Sequence, residues 1–132
     1  MPTLLHIRAR ADAPIACDMS TAADTPAERL ADYRRLFERA LLRRERHEDA
    51  VVFAFAADAR EAVEDLARRE AACCPFLDQR IETVGHEVIW TLAGPAGGDD
   101  RAGADLVLGA FHALPDARAR LSSEVGLHWT TD

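Results

Sequence analysis

The sequence predicts an α+β domain in which two β-hairpins and an N-terminal strand form a mainly antiparallel sheet covered by three helices. Three observations carry this expectation. Helix-start signals at Thr25 and Asp58 each open a stretch of helical apolar period. Each stretch is followed by two runs of alternating apolar residues around a polar turn. A third helical period then spans 104–114, so the order reads helix–hairpin–helix–hairpin–helix. At 132 residues the chain is a single domain, 1–132, with a strand and linker over 1–14, a core over 15–114 and a tail over 115–132.

Residues 3–9 alternate like an edge strand, with Leu5 and Ile7 inward. Asp12 to Pro14 break it, and 15–19 form a short strand or extended loop with Ile15, Cys17 and Met19 on one face. Thr25-Pro26-Ala27-Glu28 combines an N-cap threonine, a proline at the first helical position and a glutamate at the third. That helix runs to about Leu41, with Leu30, Tyr33, Phe37, Ala40 and Leu41 on its apolar stripe and Asp32, Arg35 and Arg39 toward water. A hairpin over 42–47 and 50–56 follows. Asp58-Ala59-Arg60-Glu61 repeats the capped start, and the second helix runs to about Cys74, where Pro75 stops it. The second hairpin spans 77–84 and 87–93 around Gly85-His86. The loop over 94–103 is no phosphate cradle, since it lacks the G-x-x-x-x-G-K spacing and carries Asp99 and Asp100. The third helix presents Val107, Ala110, Phe111 and Leu114 to the core. Beyond Pro115 the pattern fades into one further turn over 116–121 and a tail bearing His128 and Trp129.

The net charge of −7 argues against nucleic acid or an anionic membrane surface as partner, because both recruit basic patches. All sixteen basic residues are arginine, which excludes a Schiff-base or P-loop lysine. No run approaches the roughly 20 apolar residues of a membrane span, and the first residues lack a basic leader with an apolar run. A cytoplasmic setting with reduced thiols is therefore expected. The odd cysteine count, with two of three adjacent, is not a disulfide framework. Exposed sheet edges are compatible with a homodimer.

The second helix holds the chemistry. At 100° per residue Ala59, Val63, Leu66, Ala67 and Cys74 share an arc, with Ala62 and Cys73 at its edge. Glu70 lies near the middle of that arc, within one turn of both cysteines. A carboxylate on an apolar face is costly unless protonated, paired or bound to a cation. Its structural alternative is a salt bridge to an arginine such as Arg34. Glu70-Ala71-Ala72-Cys73-Cys74-Pro75-Phe76 resembles the motif of a family of small bacterial proteins in which E-x-x-C-C-P-F closes a helix and leads into a hairpin. The likeness extends to a short upstream segment with one cysteine, here Cys17, before a helix. It covers most of 15–114, and it implies that Cys17, Glu70, Cys73 and Cys74 belong together without naming a reaction.

Three thiolates suit soft ions: Hg(II), As(III), Cu(I), or Zn(II) with a carboxylate or water as fourth ligand. Met19 could add a thioether. Cys73 and Cys74 close a helix, where the dipole disfavours a thiolate, and a bound cation would reverse that penalty. Arg68, Arg69 or Arg80 would have the same effect if folded over the thiols. The leading expectation is a soft metal or metalloid binding protein with Cys17, Cys73 and Cys74 as ligands. Glu70 would be a base that helps remove thiol protons, or a fourth ligand. The alternatives are a thiol-dependent enzyme, exchanging disulfides or cleaving a carbon–metal bond with Glu70 as acid, and a ligand-sensing or assembly domain with incidental cysteines. The partner is thus a metal ion or a small thiol-reactive ligand. The histidines read as surface residues, His128 alone being placed to swing onto a site.

Overall fold

Helix α1 (Pro26–Ala40) begins on the capping box that the sequence spells out in this computed structural model, which describes residues 4–10, 19–20, 22–94 and 101–123. Glu28 N donates to Thr25 Oγ1 at 3.1 Å, and Thr25 N donates to Glu28 Oε1 at 2.8 Å. The chain passes without a loop into strand β2 (Leu41–Arg46), which turns back as β3 (Ala50–Ala56). Leu41, expected as the last residue of the helical stripe, instead starts β2 and pairs with Phe55. A register shift between Leu41 and Arg43 takes up the change and leaves Leu42 exposed.

A 3₁₀ turn, Ala57–Ala59, leads into helix α2 (Arg60–Cys73). Here the expected cap is absent. Ala59 occupies the N-cap position with no side-chain hydrogen bond, so Asp58 does not repeat the role of Thr25. Pro75 ends the helix as predicted, and Cys74, just before it, leaves the helical conformation at φ −126°, ψ 67°. Strands β4 (Asp78–Val84) and β5 (Glu87–Ala93) form the second hairpin. Gly85, at φ 60°, takes the left-handed value that the two-residue turn between them demands.

Strand β1 (Leu4–Ile7) joins the free edge of β4, giving a five-stranded sheet in the order β1-β4-β5-β3-β2. Every pairing is antiparallel. One face carries the core: Val51, Phe53 and Phe55 of β3, Val88, Trp90 and Leu92 of β5, and Ile81 of β4 are all buried. On it Tyr33 stacks 6.3 Å from Trp90 and 5.6 Å from Phe37, and Phe53 lies 6.1 Å from Trp90. Helix α2 lies over β4, and α3 (Arg101–Ser123) lies over β3 and β2, with α1 in contact with both helices.

Helix α3 is longer than the predicted 104–114 and runs through Pro115. Arg44 fastens it on either side of that proline, donating to the His112 carbonyl at 2.9 Å and to both Asp116 oxygens at 2.9 Å. Ala104, Leu108 and Phe111 are its buried residues, while Ala110, expected inward, is exposed. The predicted break at 12–14, the strand around Cys17, the loop residues 95–100 and the tail with His128 and Trp129 lie outside the described residues. No helix among the described residues is long and apolar enough to cross a membrane.

Candidate functional site

The last turn of α2 is turned inward as its period predicts: Glu70 is 7% exposed, Cys73 3% and Cys74 0%. The Cys74 amide donates to the Glu70 carbonyl at 2.6 Å, which holds the two cysteines at the corner before Pro75. Beyond the corner the Leu77 amide returns to the Cys74 carbonyl at 3.1 Å. Cys73 is a free thiol. Cys74 is disulfide-bonded, where the sequence reading has reduced thiols throughout. Cys17 lies outside the described residues.

The partner of Glu70 is Arg29, not the exposed Arg34. Arg29 Nη1 donates to Glu70 Oε1 at 2.8 Å, and the Tyr33 hydroxyl donates to Oε2 at 2.5 Å. Arg29 is itself only 5% exposed. Its Nε and Nη2 form a bidentate pair with Asp24, each at 2.7 Å. The same Nη2 lies 3.6 Å from Cys73 Sγ. Arg29 therefore takes the place over the thiol for which Arg68, Arg69 and Arg80 were the sequence candidates. Arg69 extends the network instead, donating to Asp24 at 2.9 Å, Asp32 at 2.8 Å and Asp65 at 2.8 Å. Arg80 lies 3.8 Å from Asp78.

On α1 the predicted stripe holds at Tyr33 and Ala40, with Phe37 and Leu41 partly buried against the core, and the fully buried set also takes in Arg29 and Leu36, which the period did not place inward. A buried carboxylate on α2 needs a cation and a donor, and Arg29 and Tyr33 on the inward side of α1 supply both. Burial raises the pKa of Glu70, with the Tyr33 hydroxyl and Arg29 pulling the other way. Burial, and then the Glu70 charge, push the Tyr33 hydroxyl well above its ordinary value, so it stays a donor. The Arg29 hydrogen bond holds Asp24 below the usual carboxylate range.

Two openings meet at Arg29. A polar cleft of about 640 Å³ between α1 and α2 has Cys73, Arg29, Asp24, Arg68 and Arg69 among its walls. An apolar groove of about 440 Å³ between α1 and α3 has Met19, Leu30, Tyr33, Phe111 and Glu70 among its walls. Met19, which the sequence placed on the Cys17 face, thus faces the groove beside Glu70. Among the described residues no three or more His, Cys, Asp or Glu side chains are grouped so as to hold a metal ion. Of the histidines, His6 contacts Asp78 at 2.9 Å and His47 contacts Glu45 at 3.0 Å.

Arg29, Asp24 and Tyr33 are the site residues that the sequence did not single out. Tyr33 could have been found, because a tyrosine on a buried stripe brings a hydroxyl that requires a partner. Arg29 carries no such signal beside the more apolar Leu30. The chain matches no protein-family model, no curated protein and no solved structure.

Proposed function

We propose that the cysteine corner, in its reduced form, binds a soft metal or metalloid ion of the class of Hg(II), As(III), Cu(I) or Zn(II), with Cys17, Cys73 and Cys74 as ligands. The observation that carries this reading is the placement of Cys73: a buried free thiol at the wall of an open cleft, one residue from a second buried sulfur. Soft cations prefer sulfur, and withdrawal from bulk water strengthens the charge contact. A negative charge on Cys73 would face the Arg29 guanidinium, which offsets the unfavourable end of the α2 dipole. Both Glu70 oxygens already hold a donor, so in this reading Glu70 fixes Arg29 at the thiol and is not itself a ligand. A reducing, cytosolic setting would maintain the competent form.

A second reading, thiol–disulfide exchange, is favoured by a specific observation: a free Cys73 next to a disulfide-bonded Cys74. The Cys73 thiolate would attack a partner disulfide, form a mixed disulfide and expel the partner's other sulfur as a thiolate. Titration of the fully reduced protein with each of the four ions tests the first reading, followed by thiolate-to-metal absorption and native mass. One ion per chain, lost in Cys17→Ser, Cys73→Ser and Cys74→Ser, is the expected result. Binding no tighter than that of an unrelated two-cysteine protein would overturn it. Trapping of a Cys73 adduct by an aromatic disulfide would then favour exchange.

A further inference from the structure

The sheet carries its helices on one side. Gln79 donates to α2, Trp90 stacks on Tyr33 of α1, and Arg44 and Arg46 hold α3. The strand register puts these four side chains on one face, and among the described residues no helix lies over the other. A sheet face left to water is normally polar, yet the middle of this one is not. Ala50, Val52 and Ala54 of β3 pair with Ala93, Thr91 and Ile89 of β5. Val52, Thr91 and Ile89 are half-buried around the buried Ala54. Strand β3, Ala-Val-Val-Phe-Ala-Phe-Ala, is thus apolar in both alternations, the pattern of a strand covered on both faces.

Charges flank this apolar middle in a fixed order. One row across the sheet reads Arg80, Thr91, Val52, Glu45, and the row two residues along reads Glu82, Ile89, Ala54, Arg43. Each row ends in opposite charges, and all four charged side chains are exposed. A two-fold axis parallel to the strands, between β3 and β5, turns every row end for end. Strand β4 then faces the partner's β2, so that Arg80 meets the partner's Glu45 and Glu82 meets the partner's Arg43. Thr91 and Ile89 meet the partner's Val52 and Ala54. We infer that a second copy of this chain docks on the uncovered face, sheet against sheet in this self-complementary register. The four strands β4, β5, β3 and β2 outline roughly 20 Å by 24 Å, about 1,000 Å² over two copies, the lower end of a specific interface and the mark of a reversible dimer. The polar cleft with Cys73 lies on the helical side, so the dimer leaves both thiol corners open and is independent of the metal proposal.

Sedimentation velocity of the full chain, in reductant and from micromolar to millimolar concentration, tests it. The mass should rise with concentration from 14.5 kDa toward twice that value. Arg80→Glu and Glu45→Arg should each weaken the dimer about tenfold or more, because each sets like charges against one another at two places. Both positions are exposed, so circular dichroism should stay that of the wild type. An equimolar mixture of the two variants should associate again, since every Arg80–Glu45 position then faces its opposite charge. Cys73→Ser should keep the dimer, so a failed metal titration leaves this result standing. A wild type that stays monomeric throughout, a dimer indifferent to both charge reversals, or variants that mixing does not restore would overturn the inference.

Discussion

Two buried polar networks touch α2, and they differ in kind. Toward the sheet, Trp90 Nε1 donates to Gln79 Oε1 at 3.0 Å, and Gln79 Nε2 donates to the Ala67 carbonyl at 2.9 Å. Gln79 is wholly buried, and every member of this chain is neutral. Toward α1, the network is made of charges: Glu70, Arg29 and Asp24, with Tyr33 as a neutral donor. A neutral amide can tie a helix to a sheet at the modest cost of desolvating dipoles. A buried ion pair costs far more to desolvate, and apolar residues of similar size would often stabilise as well. The neutral network therefore reads as a structural tie. The charged one stands where two openings and a free thiol meet, and stability alone gives no reason for it.

The largest expected effect follows from cutting the charged network at one end. Arg29→Ala leaves Glu70 buried without its cation and should cost about 3–5 kcal/mol in urea unfolding. The paired change Arg29→Met with Glu70→Leu should recover part of that loss, because the buried Glu70 charge is gone while Asp24 and the Tyr33 hydroxyl each lose a partner. If the double variant were as unstable as the single one, the pair would be a structural necessity and the contrast with Gln79 would fail. Tyr33→Phe comes next. It removes one donor from the ionised carboxylate and should cost about 1.5–3 kcal/mol, with the ring stacking on Trp90 kept.

Against these, Gln79→Leu should cost about 1–3 kcal/mol, since it strands the Trp90 N–H and the Ala67 carbonyl together. Its distinguishing readout is functional. Metal titration of the reduced protein should be unchanged in Gln79→Leu and altered in Arg29→Ala, because Arg29 reaches the Cys73 sulfur and Gln79 bonds instead to Trp90 and Ala67. Equal effects of the two on the titration would mean that the thiol corner responds to general stability and not to its guanidinium.

The same contrast marks how much the sequence made legible. The sheet and its helices follow from local signals: the Thr25 capping box, the alternation of Val51, Phe53 and Phe55, and the stop at Pro75. Each acts within a few residues of itself. The inward placement of Glu70, Cys73 and Cys74 was legible too, because helical period alone assigns a face. What the period does not assign is who stands opposite. Arg29 is 41 positions from Glu70, and only the packing of α1 on α2 brings them to 2.8 Å. The expected Asp58 cap failed for a related reason. The 3₁₀ turn at Ala57–Ala59 inserts before the helix, so the capping position falls on Ala59, which is wholly buried. Pro115 misled in the opposite direction, because Arg44 reaches across from the sheet and holds α3 on both sides of it.

The smallest expected effect is a change of slope with pH, and it separates the two networks most cleanly because Gln79 does not titrate. Burial raises the folded-state pKa of Glu70 above its unfolded value of about 4.3. The folded protein then holds that proton more tightly than the unfolded chain does. The resulting stabilisation is fully present below the unfolded pKa and is lost as pH rises through the folded one. Asp24 acts in the opposite sense: with its folded pKa lowered by Arg29, it contributes stability above the ordinary carboxylate range that is lost on acidification. Glu70→Gln removes the first contribution and keeps the second. The amide oxygen can still accept from Arg29, and the amide N–H₂ can donate to the Tyr33 oxygen. Melting temperatures from pH 4 to 7 should therefore show the wild type losing ground to Glu70→Gln as pH rises, while Gln79→Leu runs parallel to the wild type throughout. A wild type that instead gains on Glu70→Gln with rising pH would mean that Arg29 and Tyr33 outweigh burial, and that the carboxylate is anchored as a stable anion in the fold.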